Sequence, residues 1–267
     1  MHQILKEIIA AKQKRVAERK VLYPAALLER SVYYSAPVVS MRQYLKRPDK
    51  SGIIAEIKRR SPAAGALHPY LSVEQVSIGY MQAGASALSI LTDEPYFGGS
   101  DQDLKAARAV NFCPILRKDF IIEEYQVLEA RALGADTILL IAAILTKEAI
   151  NNLSRLAHHL GMEVILEVHQ REELDMISDD IDIIGVNNRD LHTFHTDVQH
   201  SETLLPFLPG DRVLITESGI SSPEIAARLR KAGYDGFLIG TEFMRAAAPE
   251  QACARFVQTL KQLEHAT

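Results

Sequence analysis

The chain has 267 residues, of which 47% are hydrophobic and 24% are charged, and its formal net charge is −4. This composition is typical of a folded globular protein and excludes a wholly disordered chain. The near balance of 30 basic and 34 acidic residues disfavours nucleic acid as a partner, because no basic excess is available to neutralise phosphates. The longest apolar run, 138–145, is shorter than the roughly 20 residues that a membrane-spanning helix needs.

The N-terminus and the cysteines indicate where the protein works. Lys6 and Glu7 interrupt any apolar segment at the start of the chain, so we predict no secretion signal. Cys113 and Cys253 are too few for a disulfide framework and suit a reducing compartment. We therefore expect a cytoplasmic protein that has neither a membrane nor a nucleic acid as partner.

About fifty residues precede the first predicted strand. Ile4, Leu5, Ile8 and Ile9 form an apolar stripe, and five basic residues follow between positions 12 and 20. We interpret this segment as an amphipathic helix that packs on the rest of the protein and keeps its charged face in solvent. A helix placed to attract an anionic substrate is the alternative. We expect a single domain, with a helical extension over 1–50.

Short segments rich in β-branched residues and leucine recur along the rest of the chain. They predict strands at 52–58, 86–92, 113–118, 136–142, 162–168, 182–187, 212–218 and 235–240. Their spacing fits one strand, one helix and two short loops per unit, and several are continuous apolar runs, as in parallel strands buried on both faces. Eight such units favour a closed barrel over an open sheet. We therefore predict an α/β fold, a (β/α)8 TIM barrel over 51–267.

Polar side chains collect at the predicted C-terminal ends of the strands, where the catalytic groups of parallel barrels lie. They are Glu56, Lys58, Thr92, Lys118, Glu167, Asn187, Glu217 and Ser218. Charges on buried strands are costly unless they are paired or functional. A ring of structural ion pairs would explain them. Four of them, Glu56, Lys58, Lys118 and Glu167, also suit acid–base chemistry on an anionic substrate.

The turns after the last two strands suggest a phosphate site. Gly219 and Gly240 lie where many barrel enzymes bind phosphate, and glycine lets the backbone approach an anion closely. The segment 59–65, which follows the first strand, is either a solvated loop or a basic lid over the mouth. His192 and His195 have no further ligands at a known metal-site spacing, so we predict no metal.

Six segments, taken in chain order, resemble the indole-3-glycerol-phosphate synthase family. They are IAEIKRRSP (54–62), LTDEPYFGGS (91–100), PILRKDFI (114–121), LEVH (166–169), GVNNRDL (185–191) and ESGI (217–220). The likeness extends from about residue 50 to 247, and the basic N-terminal helix also resembles the extra segment of the family. It implies the conversion of 1-(2-carboxyphenylamino)-1-deoxyribulose 5-phosphate to indole-3-glycerol phosphate, carbon dioxide and water in tryptophan biosynthesis. The family needs no metal and no organic cofactor.

The resemblance also implies a role for each residue that matches a family motif. Lys118 resembles the general acid that protonates the ketone oxygen while the aryl carbon attacks. Lys58 resembles the partner of the substrate carboxylate and a proton donor in the later dehydration, for which Glu167 resembles the acid–base residue. Which lysine donates at which step stays open. The remaining matches are Glu56, Asn187 and Glu217 as orienting groups, Ser218, Gly219, Gly240 and Thr241 as the phosphate cradle, and Ser61 and Arg189 as further anion contacts.

A last set of matches lies near the expected aryl ring, and these residues are equally plausible as packing residues. They are Thr92, Phe97, Phe120, Leu139 and Leu191. One departure from the family is Ala63-Ala64, which stands where many members carry a second serine and then a lysine or glycine. If a lysine there assists closure of the lid, this chain binds substrate less tightly.

Two other functions compete with the synthase. Phosphoribosylanthranilate isomerase would need a Cys/Asp pair, whereas Cys113 opens the third predicted strand instead of closing it. A catalytically silent barrel would have no need for costly charges at its mouth. The partner that we expect is a small anionic sugar phosphate, bound by a monomer or a weak homodimer.

Overall fold

Eight parallel strands form a closed barrel in the computed structural model, which describes residues 3–62, 65–190, 193 and 195–265. The strands are β1 (Ile53–Ile57), β2 (Ala87–Leu91), β3 (Ile115–Lys118), β4 (Thr137–Ile141), β5 (Glu163–Val168), β6 (Ile183–Asn187), β7 (Val213–Glu217) and β8 (Gly236–Ile239). Each pairs with its neighbours in the chain, and β8 closes the barrel on β1 with Ile54 opposite Leu238. The predicted TIM barrel is confirmed, and each strand lies within its predicted range.

Helices cover the outside of the barrel. The α-helices are α1 (Gln3–Leu22), α2 (Ala25–Leu28), α3 (Met41–Leu45), α4 (Val73–Gln82), α5 (Glu94–Phe97), α6 (Asp101–Val110), α7 (Glu124–Leu133), α8 (Lys147–His159), α9 (Gln199–Leu204), α10 (Pro223–Ala232), α11 (Thr241–Met244) and α12 (Pro249–His265). The connection from β5 to β6 carries the 3-10 helix Arg171–Met176 in place of an α-helix, and shorter 3-10 turns span Ala142–Ile144 and Leu205–Phe207. Among the described residues, no helix is long and apolar enough to cross a membrane.

Local sequence signals explain where several helices begin and end. Ser72, Ser100, Thr146 and Ser222 each accept a backbone N–H from the first turn of the helix that follows, which satisfies a donor that has no partner within the helix. Helix α7 ends at Gly134, whose φ of 95° is accessible to glycine at little cost. These signals fix the lengths of the outer helices and hence the points at which the strands enter the barrel.

Apolar side chains pack in two layers, one between the strands and the outer helices and one inside the barrel. The inner layer consists of Ile54, Ala87, Leu116, Leu139, Ile141, Ile165, Ile183, Val213, Ile215 and Leu238. Met41 and Leu45 of α3 join this layer, and the backbone of α3 is bound to Glu163 at the start of β5. Helix α3 therefore closes the N-terminal end of the barrel, so the functional cavity can open only at the other end.

Helix α1 lies on the opposite, C-terminal face of the barrel. Lys12 is 4% exposed and contacts Asp93 and Asp119, which follow β2 and β3. Arg19 pairs with Asp101 and Glu129. The predicted helix is present, but the prediction that its charged face lies in solvent is wrong for these two residues. The sequence pattern did not reveal the buried acidic groups that the basic side chains meet across the interface.

Candidate active site

A cavity of about 300 Å³ opens at the C-terminal ends of the barrel strands. Most of the predicted site residues line it, namely Glu56, Lys58, Phe97, Lys118, Phe120, Leu139, Glu167, Asn187, Arg189, Glu217, Ser218, Gly219, Gly240 and Thr241. They come from all parts of the barrel sequence and meet because parallel strands end at one rim. The volume lies at the lower end of the range for sites that bind small molecules.

Glu56, in β1, forms an ion pair with Lys58, which directly follows that strand. Alternate residues of a strand point to the same face, so both side chains enter the cavity. The Nζ atom of Lys58 lies 2.5 Å from Oε1 of Glu56, and both residues are buried. Gly240 leaves the space that the Glu56 side chain occupies, because a Cβ atom at that glycine would lie 2.9 Å from Cδ of Glu56.

Lys118 lies between two carboxylates on the far side of the cavity. Its Nζ atom is 3.1 Å from Oε2 of Glu167 and 3.3 Å from Oε2 of Glu217. Asn187 donates its side-chain N–H to Oε1 of Glu167 over 3.0 Å. Strands β3, β5, β6 and β7 thus each supply one member of a connected polar cluster. The ion pairs expected of a structural ring are present, but they line a cavity that a ligand can enter.

This cluster has a defined protonation pattern. Burial opposes the charged form of Lys118, but the carboxylates of Glu167, Glu217 and Glu56 raise the pKa of Lys118 above its ordinary value. Burial also opposes ionisation of Glu167, yet Lys118 and His169 hold the pKa of Glu167 well below its ordinary value. Burial and the nearby charge of Glu167 raise the pKa of Glu217. The site therefore holds a charged lysine and one firmly ionised carboxylate beside a second carboxyl that retains its proton more strongly.

The turns after β7 and β8 form another side of the cavity. Ser218 has a φ of 69°, the only positive value at a non-glycine position among the described residues, and Gly219 follows with 75°. A side chain in this conformation is strained, and such strain is concentrated at functional sites. Thr241 begins the short helix α11, and Arg245 follows that helix and also lines the cavity.

Apolar side chains line the opposite part of the cavity. The rings of Phe97 and Phe120 are 6.2 Å apart between centroids, and Leu139 and Ile141 extend the surface from β4. Leu5 and Ile8 of α1 complete it, so the N-terminal helix contributes directly to the cavity. Leu191, another predicted aryl neighbour, lies outside the described residues, as do Ala63, Ala64 and His192.

Some predicted site residues lie away from the cavity. Ser61 is buried, but the lining includes its neighbour Pro62 and not Ser61 itself. Thr92 donates to Asp119 and accepts from Arg117, so its hydroxyl belongs to a polar network beside the cavity. In the segment considered as a lid, Arg59 is paired with Asp103, and Arg60 donates to the carbonyl of Glu94 over 2.9 Å.

Several residues of the site were not found from the sequence. They are Leu5, Ile8, Lys12, Asp119, His169 and Arg245. Asp119 and His169 lie inside motif segments, directly after Lys118 and two residues after Glu167, and that position was the available signal. The residues of α1 carried no comparable signal, because nothing in their spacing indicates that the helix crosses the barrel mouth.

The sequence profile of one family, indole-3-glycerol phosphate synthase, matches residues 5–256. A protein of that name from Bacteroides thetaiotaomicron is 48% identical over 98% of this chain and all of its own length. Another, from Bordetella pertussis, is 41% identical over 96% of this chain and all of its own. The chain belongs to the indole-3-glycerol phosphate synthase family. Its activity is that of this decarboxylating lyase of tryptophan biosynthesis, as the motifs predicted.

More distant structures share the architecture. The tryptophan synthase alpha subunit from Legionella pneumophila has a TM-score of 0.62 at 16% identity, covering 85% of this chain and 97% of its own. A 3-hexulose-6-phosphate synthase from Salmonella typhimurium has a TM-score of 0.63 at 13% identity, covering 79% and 99%. At these identities the likeness concerns the fold alone.

These findings contradict the two competing functions, the isomerase and the catalytically silent barrel. The relatives that match this chain over their full length are indole-3-glycerol phosphate synthases. Neither the isomerase nor the silent barrel is therefore the function of this chain. Cys113 is buried just before β3, at the end of the barrel remote from the cavity, so it is not placed to act there. The substrate of an indole-3-glycerol phosphate synthase is a phosphorylated, sugar-like small molecule.

Proposed function

We propose that Lys118 is the general acid of ring closure. As the aryl carbon attacks the ketone carbon, the ketone oxygen gains negative charge, and Lys118 transfers a proton to it. The observation that carries this proposal is the position of Lys118 within the cavity between Glu167 and Glu217. Because these carboxylates keep the amine protonated, the residue enters the reaction in the form that an acid requires.

Lys58 has the matching role at the substrate carboxylate. Its ammonium is held by Glu56 at the cavity surface, and an incoming carboxylate can take the place of that partner. Loss of carbon dioxide then returns the electron pair to the ring. In the dehydration that follows, Lys58 supplies a proton to the departing hydroxyl, and Glu167 removes the proton from the carbon next to nitrogen. One water leaves and the indole double bond forms.

The two ends of the substrate bind at opposite sides of the cavity. The phosphate binds at Ser218, Gly219, Gly240 and Thr241, where backbone N–H groups can meet an anion. The aryl ring lies against Phe97, Phe120 and Leu139. Binding at both ends holds the reacting carbons together, so remote binding energy supports the bent conformation that ring closure needs. Asn187 and Glu217 orient the polar groups between them, and Arg189 adds a cation near the phosphate.

Substitution of Lys118 tests this assignment. Lys118→Ala is expected to lose about 10²- to 10⁴-fold in kcat while the protein stays folded. Lys105→Ala, at an exposed lysine of α6, is the matched control and should keep full activity. Indole fluorescence and released carbon dioxide are followed in excess chelator, and circular dichroism checks the fold. A folded Lys118→Ala variant with nearly normal kcat would contradict the role of Lys118.

Three further features of the enzyme are its domain organisation, its location in the cell and its oligomeric state. We propose that the extension and the barrel act as one domain, because Leu5 and Ile8 line the cavity that the barrel forms. Both cysteines are buried free thiols, which supports a reducing cytoplasm as the place of action. A monomer or weak homodimer suffices, since one chain supplies all the proposed groups.

A further inference from the structure

His169 lies directly behind the proposed acid–base residue Glu167. It follows β5 by one residue and is 7% exposed. Its Nε2 atom lies 3.1 Å from Oε1 of Glu167. The other oxygen of Glu167 faces Lys118. Oε1 of Glu167 also accepts the side-chain N–H of Asn187, so cavity residues contact both oxygens of this carboxylate and the imidazole approaches Oε1 from behind.

A second carboxylate lies on the other side of the imidazole, within ion-pair distance. The Nδ1 atom of His169 lies 3.8 Å from Oε2 of Glu173. That oxygen accepts the backbone N–H groups of His169 over 2.6 Å and of Gln170 over 3.3 Å, so the chain itself fixes the carboxylate of Glu173. A histidine between two fixed carboxylates is stabilised as the imidazolium. Although burial opposes this, the contacts with Glu167 and Glu173 raise the pKa of His169 to about 9.

His169 also borders a second cavity of about 420 Å³, which shares Leu5, Asn187 and Arg189 with the main cavity. The charged groups around Glu167 and His169 come from several elements. Those on the main cavity are Lys118, Glu217 and Glu56, and those on the second cavity are Glu173, Arg189, Asp190, Asp197, His195 and His200. Among them, Glu167 and Glu173 are the groups within 4 Å of the imidazole nitrogens.

We propose that His169 is a positioning residue for the reaction: its imidazolium keeps Glu167 ionised and directs Oε2 of that carboxylate toward Lys118 and the substrate. This inference rests on the proposed role of Glu167 as the base of the dehydration. A base must be ionised before the step that it catalyses. Lys118 alone cannot guarantee this, because it gives up its proton earlier in the same turnover. His169 lies outside that proton transfer and keeps its charge throughout.

The pH dependence of His169→Leu separates this role from a structural one. We expect kcat to fall about tenfold, a fraction of the 10² to 10⁴ that acid–base catalysis contributes, with KM almost unchanged. Without the imidazolium, the pKa of Glu167 rises, so the acid limb of kcat/KM moves to higher pH by about one unit or more. His169→Gln, whose neutral amide can still donate to Oε1, should recover part of kcat but not the position of the limb.

His158→Gln is the matched control, because His158 pairs with Asp182 over 2.7 Å at the end of the barrel remote from the cavity. It should change neither kcat nor the acid limb, and thermal unfolding confirms that each variant is folded. Suppose that the folded His169→Leu variant has the same kcat and the same acid limb of kcat/KM as the protein without substitutions, while Glu167→Gln is strongly impaired. The inference about His169 is then wrong, and the role of Glu167 stands. If Glu167→Gln has normal activity, the proposed role of Glu167 fails first.

Discussion

The Nζ atom of Lys12 lies 2.6 Å from Oδ1 of Asp119, the residue that directly follows Lys118. The same ammonium lies 2.7 Å from Oδ1 of Asp93, and all three side chains are buried. Asp119 also accepts the backbone N–H of Phe120 and the hydroxyl of Thr92. Lys12 therefore joins the N-terminal helix to the end of β3. That end carries the proposed acid, Lys118, and is followed by Phe120, whose ring belongs to the apolar surface of the cavity.

Lys12→Met should destabilise the protein and weaken substrate binding. Removal of one partner from a buried ion pair leaves uncompensated charge and costs about 3 to 5 kcal/mol. KM should rise because Leu5 and Ile8 of the same helix line the cavity. Urea unfolding and steady-state kinetics measure the two effects. Lys14→Met, at an exposed lysine of α1, is the control and should change neither. Equal stability of the two variants would show that the buried pair is not what holds the helix.

Acid unfolding should report on the same carboxylate. Burial favours the neutral form of Asp119, but Lys12 and Arg117 lower the pKa of Asp119 from 3.8 to about 2. A carboxyl with a lowered folded-state pKa contributes stability that is fully present above its unfolded-state value and is lost as the pH falls through the folded-state value. This contribution is roughly 2 kcal/mol and should disappear between about pH 4 and pH 2.

The free energy of unfolding should accordingly be measured from pH 2 to pH 7 for the unchanged protein and for Lys12→Met. The substitution removes a group that lowers the pKa of Asp119, so the gap between the two proteins should narrow toward pH 2. If the difference in free energy of unfolding between the two proteins stays constant from pH 2 to pH 7, Lys12 does not lower the pKa of Asp119.

Gly240→Ala should impair catalysis through Glu56. A Cβ atom at Gly240 would lie 2.9 Å from Cδ and 3.0 Å from Cβ of Glu56, so the glutamate must move away from its position beside Lys58. Misplacement by about 1 Å can cost roughly 10²-fold in rate, and we expect a loss of kcat/KM of that order. Gly210→Ala is the control, because nothing lies within 4 Å of the added atom. Similar activity of the two variants would refute the steric argument.

Ser218→Gly and Ser218→Ala should differ in stability although both remove the hydroxyl. Ser218 has a φ of 69°, a conformation that costs a residue with a Cβ roughly 1 to 2 kcal/mol and costs glycine little. We expect Ser218→Gly to be the more stable variant by about 1 kcal/mol, as measured by denaturant unfolding. If the alanine variant is equally stable, the backbone at this turn is not strained.

The barrel strands could be predicted because each carries its own signal. In the strand Thr137–Ile141, positions 138–141 form a continuous apolar run, and this pattern indicates burial on both faces. Glu56, Lys58 and Lys118 could be predicted for a related reason, since charges at the ends of buried strands need an explanation in any fold. Lys12 carried no such signal. On a helix rich in basic residues, its pattern is the same whether the opposing surface is solvent or a pair of carboxylates.

Strand periodicity and motif residues are local properties of the chain, so the barrel, the family and the groups at the strand ends could be predicted from the amino-acid sequence. Which charges meet became visible in the packed barrel alone: Lys118 with Glu167 and Glu217, Lys12 with Asp119, and His169 behind Glu167. The pairs of Lys118 join residues from different strands, and the pair of Lys12 joins α1 to the end of β3. The contact of His169 with Glu167 depends on the orientation of the His169 side chain at the end of β5. Their energies depend on distance and burial, which are properties of the packed barrel and of no single segment.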